Sequence, residues 1–149
     1  EIVQKLSYLK ANKVQSQNSQ IVIAADTVVS NQNNILEKPD NKKEARKMLK
    51  SLSGTTHQVI TGITVIKGEV VNTNYEITNV TFKELTKQEI ADYIATKEPL
   101  DKAGAYGIQG KGAVLVKKIE GCFYNVVGLS LYKLVQMMKE IGVEIELNG

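Results

Sequence analysis

The chain has 149 residues, 42% hydrophobic and 23% charged, which is the balance of one globular domain with a sizeable core. Its net charge of +3 comes almost wholly from lysine, with Arg46 the only arginine and no tryptophan, which speaks against a nucleic-acid reader built on arginine forks and base stacking. A single cysteine, Cys122, excludes an intrachain disulfide and a cysteine metal cluster; no apolar run approaches a membrane span, residues 1–10 lack the order of a signal peptide, and a cytoplasmic setting is expected.

Ile2, Val3, Leu6, Leu9 and Ala11 recur at helical spacing and predict an amphipathic helix over 2–14, broken by the polar stretch 15–20. Residues 21–29 are apolar and β-branched around Asp26, which predicts a short strand buried on both faces. A polar turn over 30–34 leads to the brief apolar return Ile35-Leu36. Pro39 keeps Lys38 out of the helical region. Asp40 or Asn41 then caps a helix that buries Ala45, Met48, Leu49 and Leu52 and ends at Ser53-Gly54.

From His57 to Phe82 the apolar residues alternate on both sides of Lys67-Gly68-Glu69, the pattern of a long β-hairpin. Thr86 and Glu89 form a capping box that opens a helix with Ile90, Tyr93 and Ile94 inward, closed by Glu98-Pro99. Residues 100–112 follow neither period and hold four glycines. Beyond them, 113–116 predict a buried strand, Gly121 a turn into 123–127, 128–141 an amphipathic helix using Leu131, Leu134, Val135 and Met138, and 143–147 a short edge strand. A hairpin mixed with strand–helix units predicts the α/β or α+β class with a mixed sheet.

Asp26 carries the most information. An ionised carboxylate inside an aliphatic strand is costly unless it meets a cation, a basic side chain or several hydrogen bonds, and nothing nearby in sequence neutralises it. A strand-end Asp that turns the chain is the plainer alternative. The segment Gly104-Ala105-Tyr106-Gly107-Ile108-Gln109-Gly110 is neither a Walker A loop nor a dinucleotide fingerprint. Its glycine spacing supports a structural loop and a ligand loop equally. Gln109 tilts the balance, because a carboxamide both donates and accepts and suits the edge of a base. Lys38, stiffened by Pro39, is a phosphate candidate or a plain surface lysine. His57, the only histidine, reads as structural, and Cys122 as a packed small hydrophobe.

Five blocks now stand in order: Ala25-Asp26-Thr27-Val28-Val29; Lys38-Pro39; Leu52-Ser53-Gly54 with His57-Gln58-Val59-Ile60-Thr61; the run from Glu98-Pro99-Leu100-Asp101-Lys102 to Gln109-Gly110; and Asn125-Val126-Val127-Gly128-Leu129. In this order the chain resembles the Maf-like nucleoside triphosphate pyrophosphatases over essentially its whole length. The resemblance implies an inosine-triphosphatase-like α/β fold, a mixed twisted sheet with flanking helices. It implies hydrolysis of a nucleoside triphosphate to monophosphate and pyrophosphate with a divalent cation, Mg or Mn given oxygen ligands. Thr27 with Ile108-Gln109-Gly110 looks like the branch acting on dTTP and UTP, with modified pyrimidine nucleotides as further substrates. It differs from the branch acting on 7-methylguanosine triphosphate.

Carried over residue by residue, the resemblance makes Asp26 the proton acceptor and metal ligand. It ties Thr27 and Gln109 to base selection, sets Lys38 and Lys10 near the phosphates, and extends a phosphate role to Lys102. It suggests a homodimer with a nucleotide substrate, no nucleic acid and no membrane. The chain reads as one Maf-like domain over 1–149 that starts after the family's Ser-x-Ser-Pro-Arg-Arg region, since no Ser-Pro occurs. The alternative expectation is therefore a nucleotide-binding or vestigial relative with impaired turnover, or a piece of a longer product. Glu37, Cys122 and Ser130 are smaller departures, standing where the family usually has glycine, an acid and proline.

Overall fold

A computed structural model describes residues 1–14 and 20–148. Five strands form one sheet in the order β2-β1-β3-β4-β5, with β1 Ile21–Asn31, β2 Asn34–Leu36, β3 Thr56–Lys67, β4 Val70–Phe82 and β5 Val116–Glu120. Helices α1 (Ile2–Asn12), α2 (Lys42–Leu52), α3 (Lys87–Ala95), α4 (Phe123–Val127) and α5 (Leu131–Glu140) flank it. The α/β class holds. Each pairing among the described strands is antiparallel, so no parallel component of the expected mixed sheet is found among them. Among the described residues no helix is long and apolar enough to cross a membrane.

The hairpin of β3 and β4 is the spine, paired without a break from Thr56 opposite Thr81 to Lys67 opposite Val70 and closed by the two residues Gly68-Glu69. Gly68 takes a left-handed φ of 59°, which a two-residue hairpin turn demands. Period-two alternation then divides β3 between two layers. Thr64 and Ile66 face α1, where Ser7 bonds Thr64 across 2.9 Å and Ala11 packs with Val22 and Ile66. Ile63 and Val65 face α5 and meet Leu134, Met137 and Met138.

Gly62 decides how α1 lies. A Cβ there would stand 2.2 Å from the carbonyl oxygen of Val3 and 2.7 Å from the amide of Gln4. The helix backbone thus rests directly on the sheet, and only small or short side chains fit beneath it. Its buried stripe is Val3, Ser7 and Ala11. This corrects the expected face: Ile2, Leu6 and Leu9 point outward. The helix also ends at Asn12, two residues short of the predicted 14. Of the polar break expected over 15–20, residues 15–19 lie outside the described residues.

The larger core lies at the other end of the sheet, where α2 and α3 bury Ala45, Met48, Leu49, Leu52, Ile90, Tyr93 and Ile94 as their periodicity predicts. Asn41, not Asp40, caps α2, its Oδ1 accepting from the Glu44 amide at 2.9 Å. The capping box of α3 is closed in both directions: Glu89 N–H donates to Thr86 Oγ1 and Thr86 N–H donates to the Glu89 carboxylate. His57 is buried in this core with its ring edge-on to Phe82 and Tyr106, and its Nε2 shares a 2.7 Å hydrogen bond with the Tyr106 hydroxyl. Nδ1 has no hydrogen-bond partner among the described residues.

Three strand expectations need correction. The middle of β1 is not buried on both faces; Ile23 is 44% exposed and residues 24–27 are half-buried, with Ala25, Asp26 and Thr27 bordering a cavity. Residues 113–116 are not a buried strand. Lys111–Leu115 form a 3-10 turn with Val114 72% exposed, and pairing starts at Val116. Residues 143–147 form no strand; Val143 N–H instead closes onto the Met138 carbonyl after Gly142 turns the chain.

Two consequences are measurable. Gly62→Ala should lower unfolding free energy by about 1–3 kcal/mol in urea, the cost of forcing atoms into a filled site; an unchanged midpoint would mean that α1 lifts from β3 at no cost. Burial lowers the His57 pKa from 6.5 to about 4. Above 6.5 both folded and unfolded chains are neutral at this ring; below it the unfolded chain takes up a proton that the folded chain refuses, so stability falls as pH drops toward 4. Between about pH 7 and about pH 5 the loss should be about 2 kcal/mol, and His57→Gln should flatten it. An equal slope in that variant would assign the titration to other groups.

Candidate active site

A cavity of about 540 Å³ opens where β1, the Lys38 segment and the glycine-rich loop meet. All the residues singled out from sequence line it: Lys10, Asp26, Thr27, Lys38, Lys102 and Gln109. They come from α1, β1, the β2–α2 connection and the loop after α3, so no local stretch of chain builds the site.

Asp26 owes its place to the register of β1 on β3. It lies opposite Gly62, under α1. The close seating of α1 at Gly62 carries the last turn of that helix across β1. Lys10 Nζ there pairs with Asp26 Oδ1 and donates to the Ala25 carbonyl at 3.3 Å. The neutralising partner absent from the local sequence is thus supplied by the opening helix. Asp26 stays 17% exposed at its side chain, so it reaches the cavity without being solvated freely.

Thr27 faces the other way into a polar chain. Its hydroxyl bonds Thr61 Oγ1 at 2.8 Å, and Thr61 donates to the Asn125 carbonyl at 3.1 Å. Asn125 is buried and donates from Nδ2 to the Val59 carbonyl and to Thr78 Oγ1. The Asn125-Val126-Val127 block therefore braces β1 and β3 from α4, and Val126 and Val127 add apolar wall to the cavity.

The loop after α3 holds Lys102 and Gln109. Gly104 N–H donates to the Glu37 carbonyl at 3.2 Å, which ties the loop to the segment carrying Lys38. Gly104 also packs so closely on Val29 that a Cβ would lie 2.9 Å from its Cγ2. Gly104 and Ala105 both take left-handed φ values, 71° and 61°; Tyr106 then turns in to His57. Lys102 lies along Gly107 and pairs with Asp101 at 3.0 Å. Gln109 is exposed at the rim.

One lining residue escaped the sequence reading. In the sequence Glu98 closes a helix and opens the block that runs to Gly110, with no role of its own assigned to it. Its carboxylate accepts from the amides of Lys111 and Gly112 at 2.9 and 3.0 Å and from the Tyr93 hydroxyl at 2.8 Å. Burial pushes its pKa up, but the two backbone amides, the Tyr93 hydroxyl and the Lys102 charge outweigh that and hold it below the ordinary value. The Tyr93 hydroxyl is pushed well up, first by burial and then by bonding to Glu98. The signal in the sequence was an acid set just before proline and five residues beyond an inward tyrosine.

The glycine-rich loop is accordingly moulded on a carboxylate of the protein itself. A Cβ on Gly110 would stand 2.3 Å from Glu98 Oε2, and one on Gly112 2.5 Å from the Tyr93 hydroxyl. Backbone amides of the kind that cradle phosphates are here filled from within. Glu98 is committed to three donors of the protein, which makes Asp26 the better-placed carboxylate of the cavity for a cation. Among the described residues no group of three or more His, Cys, Asp and Glu is placed to bind a metal. One carboxylate suits a hard ion that keeps waters and takes its other oxygens from substrate phosphates.

The model of the Maf-like protein family matches residues 1–141. Proteins named dTTP/UTP pyrophosphatase from Bacillus cereus (strain B4264) and Bacillus anthracis are each 50% identical over 146 residues, 97% of this chain and 76% of theirs. One from Bacillus cereus (strain G9842) is 49% identical over the same span. With the family model matching residues 1–141 and half of the aligned residues identical to those of a relative, the chain belongs to the Maf-like family.

Proposed function

We propose that this chain is a cytoplasmic nucleoside triphosphate pyrophosphatase that converts dTTP and UTP to the monophosphate and pyrophosphate. The observation that carries the reading is the convergence of Asp26, Thr27, Lys10, Lys38, Lys102 and Gln109 on one cavity in a chain half identical to proteins of that name. A triphosphate needs positive charge, and three lysines line the space. It needs a base, and Asp26 is there. The pyrimidine needs polar recognition, for which Gln109 at the rim and the Thr27 hydroxyl are the proposed groups.

In the proposed reaction the triphosphate lies along Lys38 and Lys102, whose charges offset its own. Asp26 accepts a proton from a water as the water oxygen bonds to the α-phosphorus. The bond from that phosphorus to the bridging oxygen breaks, and pyrophosphate leaves with the electron pair. Lys10 holds Oδ1 and so orients the carboxylate, leaving Oδ2 as the oxygen that takes the proton. A divalent cation, Mg or Mn, would be held by Asp26 and would supply further neutralisation of the phosphates. Positioning and charge stabilisation carry most of such a reaction, which fits a site assembled from rigid elements.

The test is pyrophosphate release from a panel of triphosphates. Turnover should be highest with UTP and dTTP, and Asp26→Asn, which keeps shape but removes basicity, should lower it at least about a hundredfold. Full turnover in that variant removes Asp26 from the mechanism.

We extend the proposal to a homodimer. Phe123, Tyr124, Leu131 and Tyr132 of α4 and α5 are each exposed, and Phe123 and Tyr124 stack edge-on, apolar groups suited to a second copy. Sedimentation velocity should give twice the chain mass; a single species at the chain mass rejects the dimer.

A further inference from the structure

Resting on that reading, we infer that Glu98 and Tyr93 are positioning residues for Gln109: they clamp the 107–112 turn in the shape that presents the carboxamide to the base, and so set base selectivity. Three backbone N–H groups of the turn end on this pair. Gly107 donates to the Tyr93 oxygen at 3.0 Å, and Lys111 and Gly112 donate to the Glu98 carboxylate. Tyr93 donates in turn to Glu98, which links the two anchors. Gln109 sits between them, at the part of the turn these anchors leave projecting into the cavity rim.

The geometry explains why the turn is glycine-rich. Gly110 lies on Glu98, and Gly112 lies on both Tyr93 and the Gly107 carbonyl, each too close for a side chain. A charged acceptor among backbone donors makes stronger bonds than neutral partners would. The clamp is also fixed at its far end: Tyr93 is held in the core by α3, and α3 is started by the Thr86–Glu89 capping box. Freed of its clamp, the turn would have to be ordered by substrate at each binding event, and that cost falls on affinity and discrimination. Glu98 acts in this scheme as the acceptor that fixes the turn, through Gln109 and not on the substrate.

Steady-state kinetics with UTP and ATP on Glu98→Gln, Tyr93→Phe, Gln109→Ala and the Glu98→Gln/Gln109→Ala double variant test the inference. Glu98→Gln should raise KM for UTP about tenfold with kcat little changed, and should lower the preference for UTP over ATP in kcat/KM. Tyr93→Phe should move both quantities the same way by less. The double variant should discriminate no worse than Gln109→Ala alone, since the clamp acts through that residue. Unchanged selectivity in Glu98→Gln, multiplicative loss in the double variant, or a fall in kcat at constant KM each overturns the positioning role. If Glu98→Gln melts, Tyr93→Phe, which loses one oxygen and keeps its ring packing, decides alone; unchanged selectivity there overturns it. Wild-type turnover of UTP is the control. Its absence takes down the functional reading and this inference together, whereas normal wild-type turnover with unaltered variants takes down only the clamp.

Discussion

The contact of α1 with β3 at Gly62 governs the site. Helix backbone touches strand backbone there, with no side chain between. A methyl group on Gly62 would clash with the backbone at Val3 and Gln4 and force apart the helix that carries Lys10 and the sheet that carries Asp26. The same seating turns the helix so that Val3, Ser7 and Ala11 face inward. A packing constraint in the sheet thus becomes an electrostatic one in the cavity. The cost of a half-buried carboxylate is offset by an ammonium that only tertiary structure brings near.

The cavity holds two carboxylates with opposite fates. Asp26 keeps a cationic partner and lines the cavity, the state of a group open to a ligand. Glu98 accepts from two amides and a phenol, the state of a group that fixes backbone. Residue type does not separate these roles. What separates them is the donor set: a half-exposed lysine side chain in the first case, two main-chain amides and a core tyrosine in the second. The glycine-rich loop acquires the same double character. Its amides look built for a phosphate, yet those that converge do so on Glu98, and its contribution to the cavity is the position of Gln109 and Lys102.

Elements whose boundaries are written in local chemistry were legible. The Thr86 cap, the α2 cap to within Asp40 or Asn41, the buried stripes of α2 and α3, and the β3–β4 hairpin each depend on residues a few positions apart. Elements decided at a distance were not. The periodicity of α1 was right, but its inward face was not, because Gly62, fifty or more residues later, selects small residues over large ones. Residues 113–116 look like a strand by composition; Glu98 pulls the amides of Lys111 and Gly112 into a turn instead. Val143 to Leu147 had β-like composition, yet the segment pairs with no strand and returns to α5.

By itself the sequence determined the class of fold, the family and the residue types gathered at the cavity, because strand and helix periods, caps and the five ordered blocks are properties of neighbouring residues. Tertiary structure alone decided that Lys10 answers Asp26, that Thr27 leans on Thr61 and Asn125, and that the loop glycines surround Glu98 and Tyr93. Those facts rest on strand register and on how closely two backbones approach. Both depend on the summed packing of segments far apart in the chain, which no local window contains.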